Sequence, residues 1–148
     1  ARHAAHHAGA AAIADDSGLC VDALGGAPGV LSARYATLFD QPKTDADNNR
    51  VLLEKMQGVP DRRARFVSAL VAVRSAEDPE PLIAFGRWHG ELLTAPQGES
   101  GFGYDPLLFI PGLDASVAEL CAEQENRHSH GAIPAATMLS LMREVWRT

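Results

Sequence analysis

The sequence has few of the residues that mark several large classes of protein. Its two cysteines, Cys20 and Cys121, form no close CxxC pair, which favours two reduced, buried thiols in a cytoplasmic protein over a disulfide or a zinc site. With 13 Lys and Arg against 19 Asp and Glu, the net charge is −6. This charge argues against sequence-independent binding to DNA or RNA. No apolar run reaches the roughly 20 residues of a membrane span.

The remaining composition is that of one ordinary globular domain. The chain has 148 residues, of which 46% are hydrophobic and 22% charged, so it can bury a single core. It has no initiator Met, and its first ten residues read as the end of a helix that closes on Gly9. They lack the apolar segment of a signal peptide. We expect a single domain over residues 1–148 that begins in mid-domain, with its N-terminal part missing upstream.

Hydrophobic spacing and turn residues predict alternating strands and helices. Residues 63–75 and 82–92 should form an antiparallel hairpin, and 63–75 is apolar on both faces, as in a strand covered on both sides. The other elements expected are a strand over 11–14 ending at Asp15, a loop over 21–36, a helix from Thr44 to Gln57, a strand over 107–110, a helix over 115–120 and a last helix from Pro134 with a core stripe of Met138, Leu141, Met142 and Val145.

The first candidate site is the tetrapeptide DDSG, which follows the apolar run 11–14. Carboxylates suit Mg²⁺ and can deprotonate a water molecule. Because side chains alternate along an extended chain, Asp15 and Asp16 cannot easily face the same point, so one should work and the other be structural. By itself the motif is more typical of a turn or a helix N-cap than of a functional site.

The second candidate is GFGYDP, residues 101–106. Its glycines let the backbone approach a ligand, aromatic rings stack on bases, and Asp105 can accept hydrogen bonds from ring N–H groups. The alternative is a tight turn with a packed Tyr104.

Histidines offer weaker candidates. His128 and His130 form a His-x-His pair, but no cysteine or third histidine lies nearby in sequence. His3, His6 and His7 are expected to lie on a solvated helix face.

Two long segments together carry a specific resemblance. IADDSGLCVDALGGAPGVLSARYA (13–36) and FGRWHGELLTAPQGESGFGYDPLLFIPG (85–112) closely resemble the inosine/xanthosine triphosphate pyrophosphatases, the Ham1-like nucleotide hydrolases. The resemblance implies an α/β fold with a central mixed β-sheet flanked by helices, elongated and two-lobed, with a cleft between the lobes. It also implies a homodimer, Mg²⁺, and hydrolysis of ITP, dITP or XTP to the monophosphate and pyrophosphate.

The resemblance assigns roles to individual residues. Asp16 matches the metal-binding proton acceptor, and Ser17 matches a substrate contact beside it. The other substrate-binding matches are Phe102, Gly103, Tyr104, Asp105 and His130.

The sequence also departs from the family pattern. The phosphate-binding S/T-x-N-x-x-K loop and a metal-binding Glu do not occur, Glu125 replaces a substrate-binding Lys, and Gly131 replaces an Arg. Arg127 is the candidate substitute cation. These departures motivate an alternative function, in which a catalytically impaired relative binds nucleotide or a partner without turnover.

Overall fold

The computed structural model describes residues 1–147 and confirms the α/β class. The helices and strands are α1 (Arg2–Ala8), β1 (Ala12–Val21), α2 (Asp45–Lys55), β2 (Arg63–Val73), β3 (Leu82–Leu92), β4 (Leu108–Ile110), β5 (Ala115–Ser116), α3 (Ala122–His128) and α4 (Ala132–Leu141). A π-helical turn, Met142–Trp146, continues α4.

The five strands form one sheet in the order β1-β2-β3-β4-β5, and every neighbouring pair is antiparallel. Over residues 1–147 the expectation of a mixed sheet is therefore wrong. Each strand pairs with the strand that follows it in sequence, whereas a parallel neighbour would need a crossover connection. The predicted hairpin of β2 and β3 is confirmed.

Strand β1 is longer than predicted. It runs through the DDSG motif, with Asp15 opposite Leu70 and Asp16 opposite Ala69. The prediction of a strand ending at Asp15 was wrong because pairing with β2 over all of β1 outweighs the low strand propensity of Asp and Gly.

The sheet buries one face under helices. Leu19, Phe66 and Trp88 belong to the main core, which also takes in Leu52 of α2. A second cluster packs Met138 of α4 against Ala72, Leu82 and Ala84, with Leu141, Met142 and Val145 around it. The predicted core stripe is confirmed, and α4 is thereby fixed across the sheet.

The opposite face is more open than predicted for a sheet covered on both sides. In β3, buried and exposed residues alternate along most of the strand, and Ile83 and Phe85 are 51% and 56% exposed. The apolar character of β2 on both faces therefore does not mean two covered faces in residues 1–147.

Local signals predicted some boundaries well. Thr44 caps α2, its Oγ1 accepting from the Asp47 N–H at 3.0 Å, and Gly9 ends α1 at φ 61°. The predicted helix 115–120 is instead β5 followed by a 3₁₀ turn, and the loop 21–36 contains 3₁₀ turns at Asp22–Leu24 and Gly29–Phe39.

Both thiols are free, but Cys20 is only half-buried and Cys121 is exposed. Within residues 1–147, no helix combines the length and apolar character that crossing a membrane requires.

Candidate active site

A pocket of about 220 Å³ opens above the buried face of the sheet. Its wall is formed by Ser17, Gly18, Leu19, Ser32, Ala33, Asp45, Asn48, Phe66, Phe102, Gly103, Tyr104, Asp105, Glu125 and His130. It brings together every predicted substrate-binding residue. Asp16 is absent from this wall.

The glycine-rich loop at 101–105 is tied to the start of α2. The Gly103 N–H donates to Asp45 Oδ2 at 2.9 Å, and Asn49 Nδ2 donates to the Gly103 carbonyl at 3.1 Å. Gly101 has φ +79°, and a Cβ there would collide with the Asp105 carboxylate. Glycine at position 101 therefore allows the loop to fold back closely on the Asp105 carboxylate.

The two aromatic residues of the loop differ in exposure. Tyr104 is buried, and its hydroxyl donates to the Ser32 carbonyl at 2.6 Å. Burial raises the pKa of Tyr104 above its usual range. Phe102 is 82% exposed at the pocket rim, so its ring is free to stack on a planar ligand.

Asp105 lies buried at the base of the loop. Its Oδ2 accepts from the Phe102 N–H at 3.1 Å. Burial raises the pKa of Asp105, the Phe102 hydrogen bond opposes this, and the nearby charges of Glu125 and Asp45 add to the rise. The carboxyl group both shapes the loop and faces the pocket.

His130 forms the opposite wall and stacks on Phe66, with 4.8 Å between ring centroids. Its Nδ1 is buried and has no hydrogen-bond partner among the described residues. Burial lowers the pKa of His130, which favours the neutral ring near pH 7. A buried nitrogen without a partner is uncommon in folded proteins.

Asp15 and Asp16 line a second, shallower concavity of about 490 Å³ together with Arg2 and His3. In the sheet formed by residues 1–147, β1 is an edge strand. Ser17 lines the pocket and Asp16 is its neighbour in β1, so their side chains leave the edge strand on opposite faces of the sheet.

Sequence reasoning missed Ser32, Asp45 and Asn48 as pocket residues. Asn48 Oδ1 accepts from the Ala36 N–H at 2.8 Å, and its Nδ2 donates to the Ala33 carbonyl at 3.1 Å. A signal existed, because Asn48 shares the i, i+3, i+4 face of α2 with Val51 and Leu52. A polar residue on such a face indicates a buried hydrogen-bonding role.

Arg127 does not supply the predicted substitute cation. Its guanidinium donates to Glu123 Oε1 at 3.0 Å, its side chain is 71% exposed, and it is absent from the pocket wall. The i, i+4 spacing on α3 favours this pairing along the helix surface.

Comparisons with known proteins place this geometry in a family. The profile of the Ham1 family matches residues 1–140. The dITP/XTP pyrophosphatase of Methylibium petroleiphilum is 62% identical over 154 residues, covering 99% of this chain and 74% of the relative. The dITP/XTP pyrophosphatase of Leptothrix cholodnii is 60% identical over 157 residues, covering 99% of this chain and 74% of that relative.

Solved structures agree with the sequence relatives. A HAM1 protein from Coxiella burnetii superposes with a TM-score of 0.86 at 42% identity, covering 95% of this chain and 70% of that one. The Ham1 protein of Staphylococcus aureus gives a TM-score of 0.84 at 40% identity, covering 97% of this chain and 72% of that one. The chain belongs to the Ham1 family.

Proposed function

We propose that this chain hydrolyses non-standard purine nucleoside triphosphates such as ITP, dITP and XTP to the monophosphate and pyrophosphate. The observation that carries the proposal is the pocket that gathers Ser17, Phe102, Asp105 and His130 from distant segments. High identity to dITP/XTP pyrophosphatases supports it.

The pocket wall carries groups that can bind a purine base. Phe102 at the rim can stack on a purine, which contributes about 1 to 3 kcal/mol for a base on an aromatic ring. The His130 ring and the Asp105 carboxyl line the pocket and can offer hydrogen-bonding atoms to the base edge. A site whose buried polar atoms pair with one base edge rejects an analogue that leaves them unpaired.

The triphosphate then leaves the pocket past Ser17 at the edge of the sheet. Ser17 Oγ can donate to a phosphate oxygen, and the next residue along β1, Asp16, can accept the proton of the attacking water. Cleavage between the α- and β-phosphates consumes that water and releases the monophosphate and pyrophosphate.

The residues present fit a role for Mg²⁺. This ion usually takes one or two carboxylates and completes its shell with waters and substrate phosphates. Asp16, exposed in an open concavity, is such a ligand. When bound, Mg²⁺ would neutralise phosphate charge and polarise the scissile bond.

A second copy of the chain is proposed as partner. The open sheet face carries exposed Ile83 and Phe85, and self-complementary apolar faces of this kind form two-fold dimers.

Free thiols in the described chain also fit a cytoplasmic location.

The alternative of binding without turnover is motivated only by the sequence departures. No contact or buried charge in residues 1–147 favours it over hydrolysis.

The test of function is a product analysis. The protein is incubated with ITP, dITP, XTP, ATP and GTP, with and without Mg²⁺, and the products are separated. We expect monophosphate and pyrophosphate from the first three substrates, with Mg²⁺ present. Release of orthophosphate, or equal turnover of ATP, contradicts the proposal.

A further inference from the structure

The charge of the pocket wall has one sign. Three carboxyl side chains line it, those of Asp45, Asp105 and Glu125, and its described residues include no Lys or Arg. Burial favours the neutral form of the remaining titratable ring, His130. Any ligand group inside this pocket therefore meets an environment that repels anions.

The three carboxylates are not equally available to a ligand. Asp45 accepts from the Gly103 N–H at 2.9 Å, and Asp105 accepts from the Phe102 N–H at 3.1 Å. For the Glu125 carboxylate, the described part of the chain provides neither a hydrogen bond nor an ion pair. Its residue is exposed at the pocket mouth on α3, so it can turn toward a ligand without breaking a contact.

Glu125 is close enough to affect the pocket interior. Its charge contributes to the raised pKa of Asp105 across the pocket. Arg127, the nearest cation on α3, is engaged by Glu123 instead. The Glu125 charge therefore faces the pocket without a local counter-ion.

The two kinds of base that the proposed function concerns differ in charge. Hypoxanthine keeps its N1–H and stays neutral well above neutral pH. Xanthine loses a ring proton close to neutral pH, and the base becomes an anion. A free carboxylate therefore repels the anionic xanthine base and does not repel the neutral hypoxanthine base.

We propose that Glu125 determines specificity in this pocket and makes it prefer hypoxanthine nucleotides to xanthine nucleotides. The inference rests on the proposed function, because it assumes that the pocket holds the base. It gives a role to the residue at which the sequence departs from the family's lysine.

The test measures binding and needs no turnover. Inosine monophosphate and xanthosine monophosphate are titrated at neutral pH into the wild type, Glu125→Gln and Glu125→Lys, by calorimetry. Glu144→Gln is the control, since it removes an exposed carboxylate that lies outside the pocket wall and leaves the Glu123–Arg127 pair intact. Thermal melts show whether each variant is folded.

We expect the wild type to bind inosine monophosphate about tenfold more tightly than xanthosine monophosphate. This is the effect expected of one uncompensated charge that is partly screened. Glu125→Gln should reduce this ratio to about threefold or less, mainly by improving the xanthosine ligand, and Glu125→Lys should reverse it. Glu144→Gln should leave the ratio unchanged.

Each of the other possible binding results contradicts one specific claim. Equal binding of both ligands by the wild type overturns the preference, and an unchanged ratio in folded Glu125→Gln overturns the role of Glu125. Binding of neither ligand contradicts the proposed function itself, and the specificity inference falls with it.

Discussion

Asp16 and Ser17 are adjacent in β1 but belong to different concavities. Ser17 lines the pocket above the core, whereas Asp16 lies with Asp15 in the open concavity, which extends over Ala69 and Val71 of β2. A nucleotide that spans the edge would contact both residues with different parts of its structure.

Asp16→Asn tests the proton-accepting role. The amide keeps the shape of the side chain but cannot take a proton from water, so turnover should fall by about 10² to 10⁴, the usual worth of a positioned base. Because Asp16 is exposed, the melting temperature should change little. Steady-state kinetics and thermal melts measure the two effects.

Asp15→Asn is the matched control. It makes the same chemical change one residue away and should keep most of the activity. Equal losses in both variants would show that the charge of the pair matters, and would contradict a specific role for Asp16.

Gly86 in β3 lets α4 approach the sheet. A Cβ at this position would collide with the His130 carbonyl oxygen and would lie 2.6 Å from Pro134 Cδ. Gly86→Ala should therefore push the His130 segment away from the sheet, weaken nucleotide binding and lower stability by about 1 to 3 kcal/mol, as overpacking does.

Gly112→Ala is the control for this substitution. A Cβ there meets nothing within 4 Å, so stability and binding should stay close to the wild type. Denaturant unfolding and titration with inosine monophosphate provide the measurements. Unchanged binding in Gly86→Ala would contradict the positioning of His130 by this contact.

At the scale of the element, the β2–β3 hairpin is held by a buried carboxylate. Asp78 accepts hydrogen bonds from the Arg74 N–H at 2.7 Å and the Glu80 N–H at 3.0 Å, and it pairs with the Arg74 guanidinium at 3.1 Å. These contacts lower the pKa of Asp78 well below its usual range, and the hydrogen bond from the Arg74 side chain contributes most.

The sign of the pH effect follows from this depression. The stabilisation by Asp78 is fully present above its unfolded pKa of about 3.9 and declines as the pH falls toward the folded value. Asp78→Asn should therefore lower the melting temperature clearly at pH 7 and by less at strongly acid pH. An equal loss at both pH values would mean that shape, and not charge, holds the turn.

The predictability of the elements from sequence depended on the range of the interactions involved. Thr44, Gly9 and the stripe of α4 act through contacts within their own helix or across one face, and these predictions are confirmed. The length of β1 and the place of Asp16 were predicted wrongly because strand pairing is set by a partner about fifty residues away.

The pocket was predictable only in part. Phe102 to Asp105 and His130 carry recognisable motifs, whereas Asp45 and Asn48 enter the wall because α2 folds against the 101–105 loop. Only the charge of Glu125 was visible in the sequence. That no cation within residues 1–147 pairs with it could be seen only from the geometry of α3.

For the whole molecule, the proposed dimer depends on the open face of the sheet. Arg87 lies over the Phe85 ring, 5.6 Å from its centroid, at the side of the apolar surface formed with Ile83. Phe85→Lys should place a charge in the proposed dimer interface and produce a monomer, as measured by analytical ultracentrifugation.

Leu139→Lys provides a comparison. Leu139 is also about half exposed, at 51%, but it lies on α4 at the other side of the sheet. This variant should keep the mass of the wild type. A wild type that is monomeric at micromolar concentration would contradict the proposal of a dimer.

The sheet and the pocket form from contacts of different sequence separation. Each strand pairs with the next strand along the sequence, so β2 to β5 can assemble from contacts of modest sequence separation, whereas β1 joins β2 across about fifty residues. The pocket instead draws on segments near residues 17, 45, 104 and 130. Its closure must come late, after the sheet and α4 have met, and a bound nucleotide would stabilise only the chain that has completed this last step.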